Sequence, residues 1–241
     1  MKSRLDKILA DNGFGSRRDI KKLLRSGALS VNGLVATDPA DRADPETDSF
    51  ALDGEPLALK RLVYLMLNKC AGVVTSTSDP TNQTVIDLLG SPWDSMGLFP
   101  VGRLDIDTEG LLLITNDGPL THRLTSPKTG CDKTYLARLR DPVSDDALGE
   151  YQRAFRQGIA FHDGYVCLPA SVEREGALDS TLRVVIGEGK YHQVKKMFKV
   201  VGNEVVYLKR VAMGPLALDE ALLPGSFREL SADEISILRE V

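Results

Sequence analysis

The sequence predicts an α+β protein in two parts, a small helix, helix, hairpin unit over residues 1–59 and a larger unit over 61–241 built on a mixed, mainly antiparallel sheet with flanking helices. Three observations carry that expectation. The first 35 residues pass from two short amphipathic helical patterns to an alternating stretch around Asn32-Gly33, a strong hairpin signal. Residues 38–53 are crowded with Asp, Pro and Glu, the texture of loop, last short strands and linker. From Arg61 onward, short apolar runs recur with few helical patterns between them.

In chain order, Ser3 stands before Leu5, Ile8 and Leu9 with Asp6 three residues on, which predicts an N-cap and a short helix. Ser16 and Asp19 repeat the arrangement ahead of an Ile20, Leu23, Leu24 stripe. Arg17, Arg18, Lys21, Lys22 and Arg25 fall on the other faces, so the second helix is basic toward solvent. Gly27 stops it, the hairpin follows over 28–35, and Asp53-Gly54 makes a later turn. In the larger part, strands are expected over 62–67, 73–77, 111–115, 135–139, 182–186 and 205–211. A helix over 144–158 turns Leu148, Tyr151 and Phe155 inward, another carries Val194, Met197, Phe198 and Val201 as its apolar stripe before Gly202, and a last one starts after Ser231 with Glu234.

Composition sets outer bounds. With 42% hydrophobic and 27% charged residues the chain has the balance of an ordinary soluble protein, and no apolar run approaches the length of a membrane span. A net charge of −4 argues weakly against a nucleic-acid partner. Residues 1–30 oppose that average, because eight basic side chains (the five above with Lys2, Arg4 and Lys7) face three acidic ones. Cys70, Cys131 and Cys167 form no C-x-x-C pair, so neither a zinc site nor a redox pair is indicated; they read as free thiols of a reducing, cytoplasmic compartment.

The densest chemistry lies in Gly102-Arg103-Leu104-Asp105-Ile106-Asp107-Thr108-Glu109-Gly110, which runs through an apolar strand to Asn116-Asp117-Gly118. A calcium loop fails because its twelfth position, which needs a bidentate Glu, is Asn116. A phosphotransferase Asp-x-Asp-x-Thr is nearly met by Asp105, Asp107 and Thr108, but residues 99–103 make a poor preceding strand. A solvated loop with one capping carboxylate is the bland alternative.

The whole string resembles the signature of the pseudouridine synthases of the small-subunit ribosomal RNA branch, the family typified by RsuA. The resemblance implies that Asp105 is the nucleophile and gives Asp107 no role. Lys133-Thr134-Tyr135 resembles the second motif, whose Tyr packs against the target base and assists proton movement; by spacing alone Tyr135 is a half-buried strand residue. Glu188-Gly189-Lys190-Tyr191-His192-Gln193-Val194-Lys195-Lys196-Met197-Phe198 resembles the third. There the basic residue after His-Gln-aliphatic pairs with the nucleophile, which points to Lys195, with Lys190 and Lys196 as nearby competitors. Helical spacing independently groups His192, Lys195, Lys196 and Lys199 on one surface, which could equally be a solvated lysine face.

The resemblance implies further contacts. Arg103, Lys190, His192 and Gln193 would line the substrate site, with Leu208 or Val211 as an apolar floor. The N-terminal part resembles the RNA-binding module of the fourth small-subunit ribosomal protein through Arg4-Leu5-Asp6-Lys7, Ser16-Arg17-Arg18 and 27–33, so Arg4, Arg17, Arg18, Lys21, Lys22 and Arg25 are the expected RNA contacts. In the first motif, Leu67-Asn68-Lys69 is followed by Cys70 where the family usually has Pro, which implies a looser turn there.

The reaction so implied converts a uridine of 16S ribosomal RNA, free or in a partly assembled small subunit, to pseudouridine. It needs no redox change, cofactor or metal. Asp105 must be ionised, kept so by Lys195 or Arg103, and the target base must be flipped out to reach it. A monomer, with no membrane association, is expected. Two other functions fit parts of the sequence: a synthase for 23S ribosomal RNA, and a non-catalytic RNA-binding assembly factor. Asp105, Tyr135 and Lys195 together speak against the second.

Overall fold

The computed structural model describes residues 2–127, 129–176 and 179–241. Two compact units emerge: one runs up to Val63 and also takes in Ile86–Phe99, and the other comprises Tyr64–Val85 and Pro100–Val241. The sequence division at residues 59–61 assumed two consecutive stretches. The units are not consecutive, because 86–99 groups with the first: the Lys60 ammonium lies 5.5 Å from the centre of the Trp93 ring, and Ser95 sits close over Gly13.

In the first unit, α1 (Leu5–Asp11) and α2 (Arg17–Ser26) lead into strands β1 (Leu29–Val31), β2 (Leu34–Val35), β3 (Phe50–Leu52) and β4 (Glu55–Leu57). These strands pair antiparallel in the order β2-β1-β3-β4. Ser16 and Asp19 form the expected capping box on α2, and Gly27 closes it in the left-handed conformation. Asn32 and Gly33, at φ 52° and 79°, make the expected tight turn between β1 and β2. The Ser3 N-cap does not form. Ser3 and Arg4 pair as extended chain with Ala43 and Arg42, Arg4 occupies the cap position without a side-chain hydrogen bond, and Asp6 is held by Arg4. Leu5, Leu9, Ile20, Leu24 and Leu29 form a fully buried core beneath the basic face of α2. Each contributes about 1.5–3 kcal/mol by its burial.

The second unit is built on one sheet. Its strands are β5 (Tyr64–Lys69), β6 (Glu109–Thr115), β7 (Lys133–Leu139), β8 (Ala170–Arg174), β9 (Thr181–Ile186), β10 (Val205–Met213), β11 (Leu216–Ala217) and β12 (Phe227–Glu229). The order is β8-β9-β7-β10-β6-β5-β12, with β11 beside β10. Among these pairs β10 and β6 run parallel and the others antiparallel. The sheet is thus mixed and mainly antiparallel. Central β5 and β6 are buried along almost their whole length, whereas β9 alternates, with Leu182, Val184 and Ile186 inward.

Helices α3 (Gly118–Thr125), α4 (Asp145–Gln157), α5 (Gln193–Val200) and α6 (Ala232–Arg239) flank it. α4 has its Ser144 cap and α6 its Ser231–Glu234 capping box as expected. Tyr151 and Phe155 of α4 meet Phe198 of α5, ring centres 6.0 and 5.2 Å apart, which anchors α5 to the unit's core. One expectation fails: residues 73–77 form no strand but a loop with a single bridge from Val74 to Thr84. Helix α3, capped by Asp117, was not anticipated.

Candidate active site

The acidic loop between Val101 and β6 is immobilised from below. Lys69, at the end of β5, is fully buried, and its ammonium donates to the carbonyls of Cys70, Ile106 and Thr108 at 3.0, 3.2 and 2.9 Å. Burial pushes this lysine below its ordinary value, and the three carbonyls provide the solvation that water otherwise would. The Gly72 N–H also donates to Ile106 O at 2.8 Å, so the turn with Cys70 in place of Pro is tied down rather than loose. From the other side the Thr75 hydroxyl bonds both the carbonyl and the N–H of Leu104.

Gly110 ends the loop, at φ 101°, because a Cβ there would sit 2.1 Å from the Arg210 carbonyl. It is the residue that lets β6 pair in parallel with β10, with Arg210 opposite Gly110.

On this mount Asp105 faces α5. Its Oδ2 lies 3.2 Å from the Lys195 ammonium and its Oδ1 lies 3.5 Å from His192 Nε2. Asp105 and Lys195 are 24% and 22% exposed, sheltered enough for the pair to be weakly screened. Lys195 has a second partner that the sequence did not assign: it donates to Asp107 Oδ1 at 2.6 Å. Burial alone would lower Lys195, but its hydrogen bond to Asp107 and the charge of Asp105 outweigh burial and hold it above the ordinary lysine value. Burial likewise works against the Asp107 carboxylate, yet Lys195 holds it below the usual range.

The competing lysines contact aromatic rings rather than Asp105. Lys190 lies over the Tyr165 ring at 4.6 Å, and Lys196 lies over Phe161 and Tyr191 at 5.4 and 5.3 Å. Only Lys199 of the expected lysine face is fully exposed.

The segment ahead of α5 is braced by a buried carboxylate. Glu188, 3% exposed, accepts from the Tyr165 hydroxyl, the Leu168 N–H and the Gln193 amide. The bond to Glu188, aided by burial, pushes Tyr165 up to about 12. Burial and the same carboxylate raise Cys167 to about 11. The Gln193 carbonyl accepts from the Lys190 N–H, so both ends of that amide are committed to the protein. His192, at φ 53°, turns the chain sharply into α5.

A cavity of about 580 Å³ opens beside these groups. Asp105, Arg103, Tyr135, Lys190, His192 and Gln193 line it, as does Leu208. Tyr135 is 7% exposed and lies opposite Arg210 on β10. Val211, the other floor candidate, is not among the lining residues, whereas Lys133 and Arg210 are. Arg210 is 2% exposed; its Nε donates to Leu111 O at 2.8 Å, and its Nη2 has no hydrogen-bond partner among the described residues. These two cations, with Lys69, Thr75 and Glu188, are the residues that sequence reasoning missed. For Lys69, Lys133 and Arg210 the signal was a basic residue within a strand, which is ambiguous until its partners are known; Thr75 and Glu188 carry none.

In the first unit the expected RNA contacts divide. Arg17, Arg18, Lys21, Lys22 and Arg25 are exposed on α2, and the acid among them, Asp19, is occupied by the Ser16 cap. Arg4 instead chelates Asp6 through two hydrogen bonds, which neutralises it.

Residues 63–199 match the family described as RNA pseudouridylate synthase, and residues 3–48 match the S4 domain. An uncharacterized RNA pseudouridine synthase of Bacillus subtilis is 44% identical, with 98% of each chain covered. The ribosomal small subunit pseudouridine synthase A of Escherichia coli K12 is 42% identical over 97% of this chain and 98% of its own, and that of Salmonella typhimurium is 42% identical with the same coverage. A solved structure described as pseudouridylate synthase matches with a TM-score of 0.68 at 38% identity, over 98% of this chain and 99% of its own.

Proposed function

We propose that this chain, which belongs to the RNA pseudouridylate synthase family and carries an S4 domain ahead of that region, isomerises a uridine of 16S ribosomal RNA with Asp105 as its nucleophile. The observation that carries the assignment of Asp105 is its position on a cavity wall, 3.2 Å from Lys195 on a loop pinned by Lys69. The names of the 42%-identical relatives support the small-subunit RNA as substrate, as does the Tyr191-His192-Gln193-Val194-Lys195 string.

The reaction breaks the bond from ribose C1′ to base N1 and makes one from C1′ to C5; the C5 proton leaves and N1 takes one up, so no electrons are gained or lost. Asp105 attacks either the base ring or the anomeric carbon. Lys195, 3.2 Å away, orients it, Tyr135 packs against the extruded base, and Leu208 supports its edge. The exposed cations of α2 supply affinity for the RNA backbone, and linking them to the catalytic unit raises effective concentration.

The deciding assay incubates unmodified 16S and 23S RNA with the wild type and with Asp105→Asn, and detects pseudouridine by carbodiimide reactivity. Wild type should modify 16S RNA at one site, and the variant should lose at least roughly 1,000-fold in rate while still binding. Equal activity of the two would remove Asp105 from the mechanism, and modification of 23S RNA alone would overturn the proposed target.

A further inference from the structure

Tyr191 is the anomaly of this site. It lines the mouth of the cavity and yet is 73% exposed. A single exposed aromatic is commonplace. This ring, however, is held in place: it stacks on the His192 imidazole with centres 3.8 Å apart and planes at 20°, while the Lys196 ammonium lies 5.3 Å from its centre. His192 is in turn set by its left-handed backbone and by Asp105, 3.5 Å away. Beyond these two contacts the side chain is turned to solvent, as its 73% exposure shows.

We propose that Tyr191, backed by His192, is a stacking platform for an unpaired nucleobase adjacent to the target uridine. The inference rests on the proposed function, because it requires RNA at this cavity. A flat π-face flanked by an ammonium matches a nucleobase joined to phosphate. Extruding the uridine deprives its neighbour of a stacking partner, and a fixed ring at the cavity mouth replaces it. Because His192 lies between the platform and Asp105, the flanking base is registered against the nucleophile through a single mount, so Tyr191 is a substrate-binding residue that does not touch the reacting atoms.

The test uses the full chain and a 16S-derived stem-loop in which 2-aminopurine replaces each neighbour of the mapped uridine in turn. Wild type should quench the emission of one of the two probes, and Tyr191→Ala should abolish that quenching. The same variant should raise KM about 5- to 100-fold, the range for loss of one base stack, with kcat within about 3-fold. Tyr191→Phe and Tyr191→Trp should behave as wild type. Unquenched probes with active wild-type enzyme, unchanged KM in Tyr191→Ala, or a Tyr191→Phe variant as impaired as Tyr191→Ala would each overturn the platform. An inactive wild type would instead overturn the function on which it rests.

Discussion

Two short basic helices, α2 and α5, read alike in sequence and are used in opposite ways. On α2 the five cations are exposed, and the intervening acid is withdrawn into a cap. On α5, Lys195 and Lys196 are half-buried, one directed between two carboxylates and the other over aromatic rings. Charge spread over a surface attracts any phosphate chain and is screened by salt; a charge held in a sheltered, single geometry orients one atom. The difference comes from what lies beyond each helix. α2 faces solvent, whereas α5 is locked by Phe198 against α4 and by the Glu188 brace.

The comparison makes its largest claim at Lys195. Lys195→Met should lower kcat by roughly 100-fold, the usual scale for loss of one oriented electrostatic contact, with little change in RNA affinity. Equal losses in both, seen in single-turnover and binding assays, would place Lys195 on the RNA backbone and break the contrast.

Replacing all five α2 cations with Gln should weaken RNA binding by about 10-fold or more and flatten the plot of log affinity against log salt by roughly 2, as for loss of two to three phosphate contacts. Turnover at saturating RNA should persist. A kcat defect from any one of these changes would contradict the diffuse role.

The support beneath Asp105 is a third lever. Lys69→Met should cost about 2 kcal/mol in denaturant unfolding, because three carbonyls lose their donor, and should lower kcat as the loop loosens. Normal stability with normal turnover would show that the loop holds itself.

The smallest effect serves as a control, a well-paired charge with no place in turnover. Arg228 bonds Glu234 through both carboxylate oxygens and holds it down to about 2. The folded state therefore binds this proton less readily than the unfolded chain, whose value is near 4.5. The pair's stabilisation is complete above about pH 4.5 and is lost as pH falls toward 2; with partial exposure it amounts to about 1–2 kcal/mol. Glu234→Gln should flatten that acid limb of the stability profile and leave kcat alone.

Much of the fold was legible because its signals are local. The Ser16–Asp19 and Ser231–Glu234 boxes, the Asn32-Gly33 turn and the period of α4 each act within a few residues. Local signals also misled. Ser3 looked like a cap but pairs with Ala43, and residues 73–77 have strand character but lie in a loop, where Thr75 serves Leu104. Asp105 and its lysine were singled out only through a long motif. The supporting Lys69, Glu188 and Arg210 were not, since a polar residue in an apolar run has no stated role until its partner is known.

The sequence by itself determined most helix starts and turns, which face of α2 is basic, and which residues match the family's motifs. The tertiary structure alone decided that Lys195, rather than Lys190 or Lys196, meets Asp105, and that Asp107 shares it. Those partners are 88 and 90 residues apart in the chain, and they meet because β10 and β6 lie parallel with Gly110 permitting the approach. Contacts across that separation depend on strand order and burial, which no local run of residues encodes.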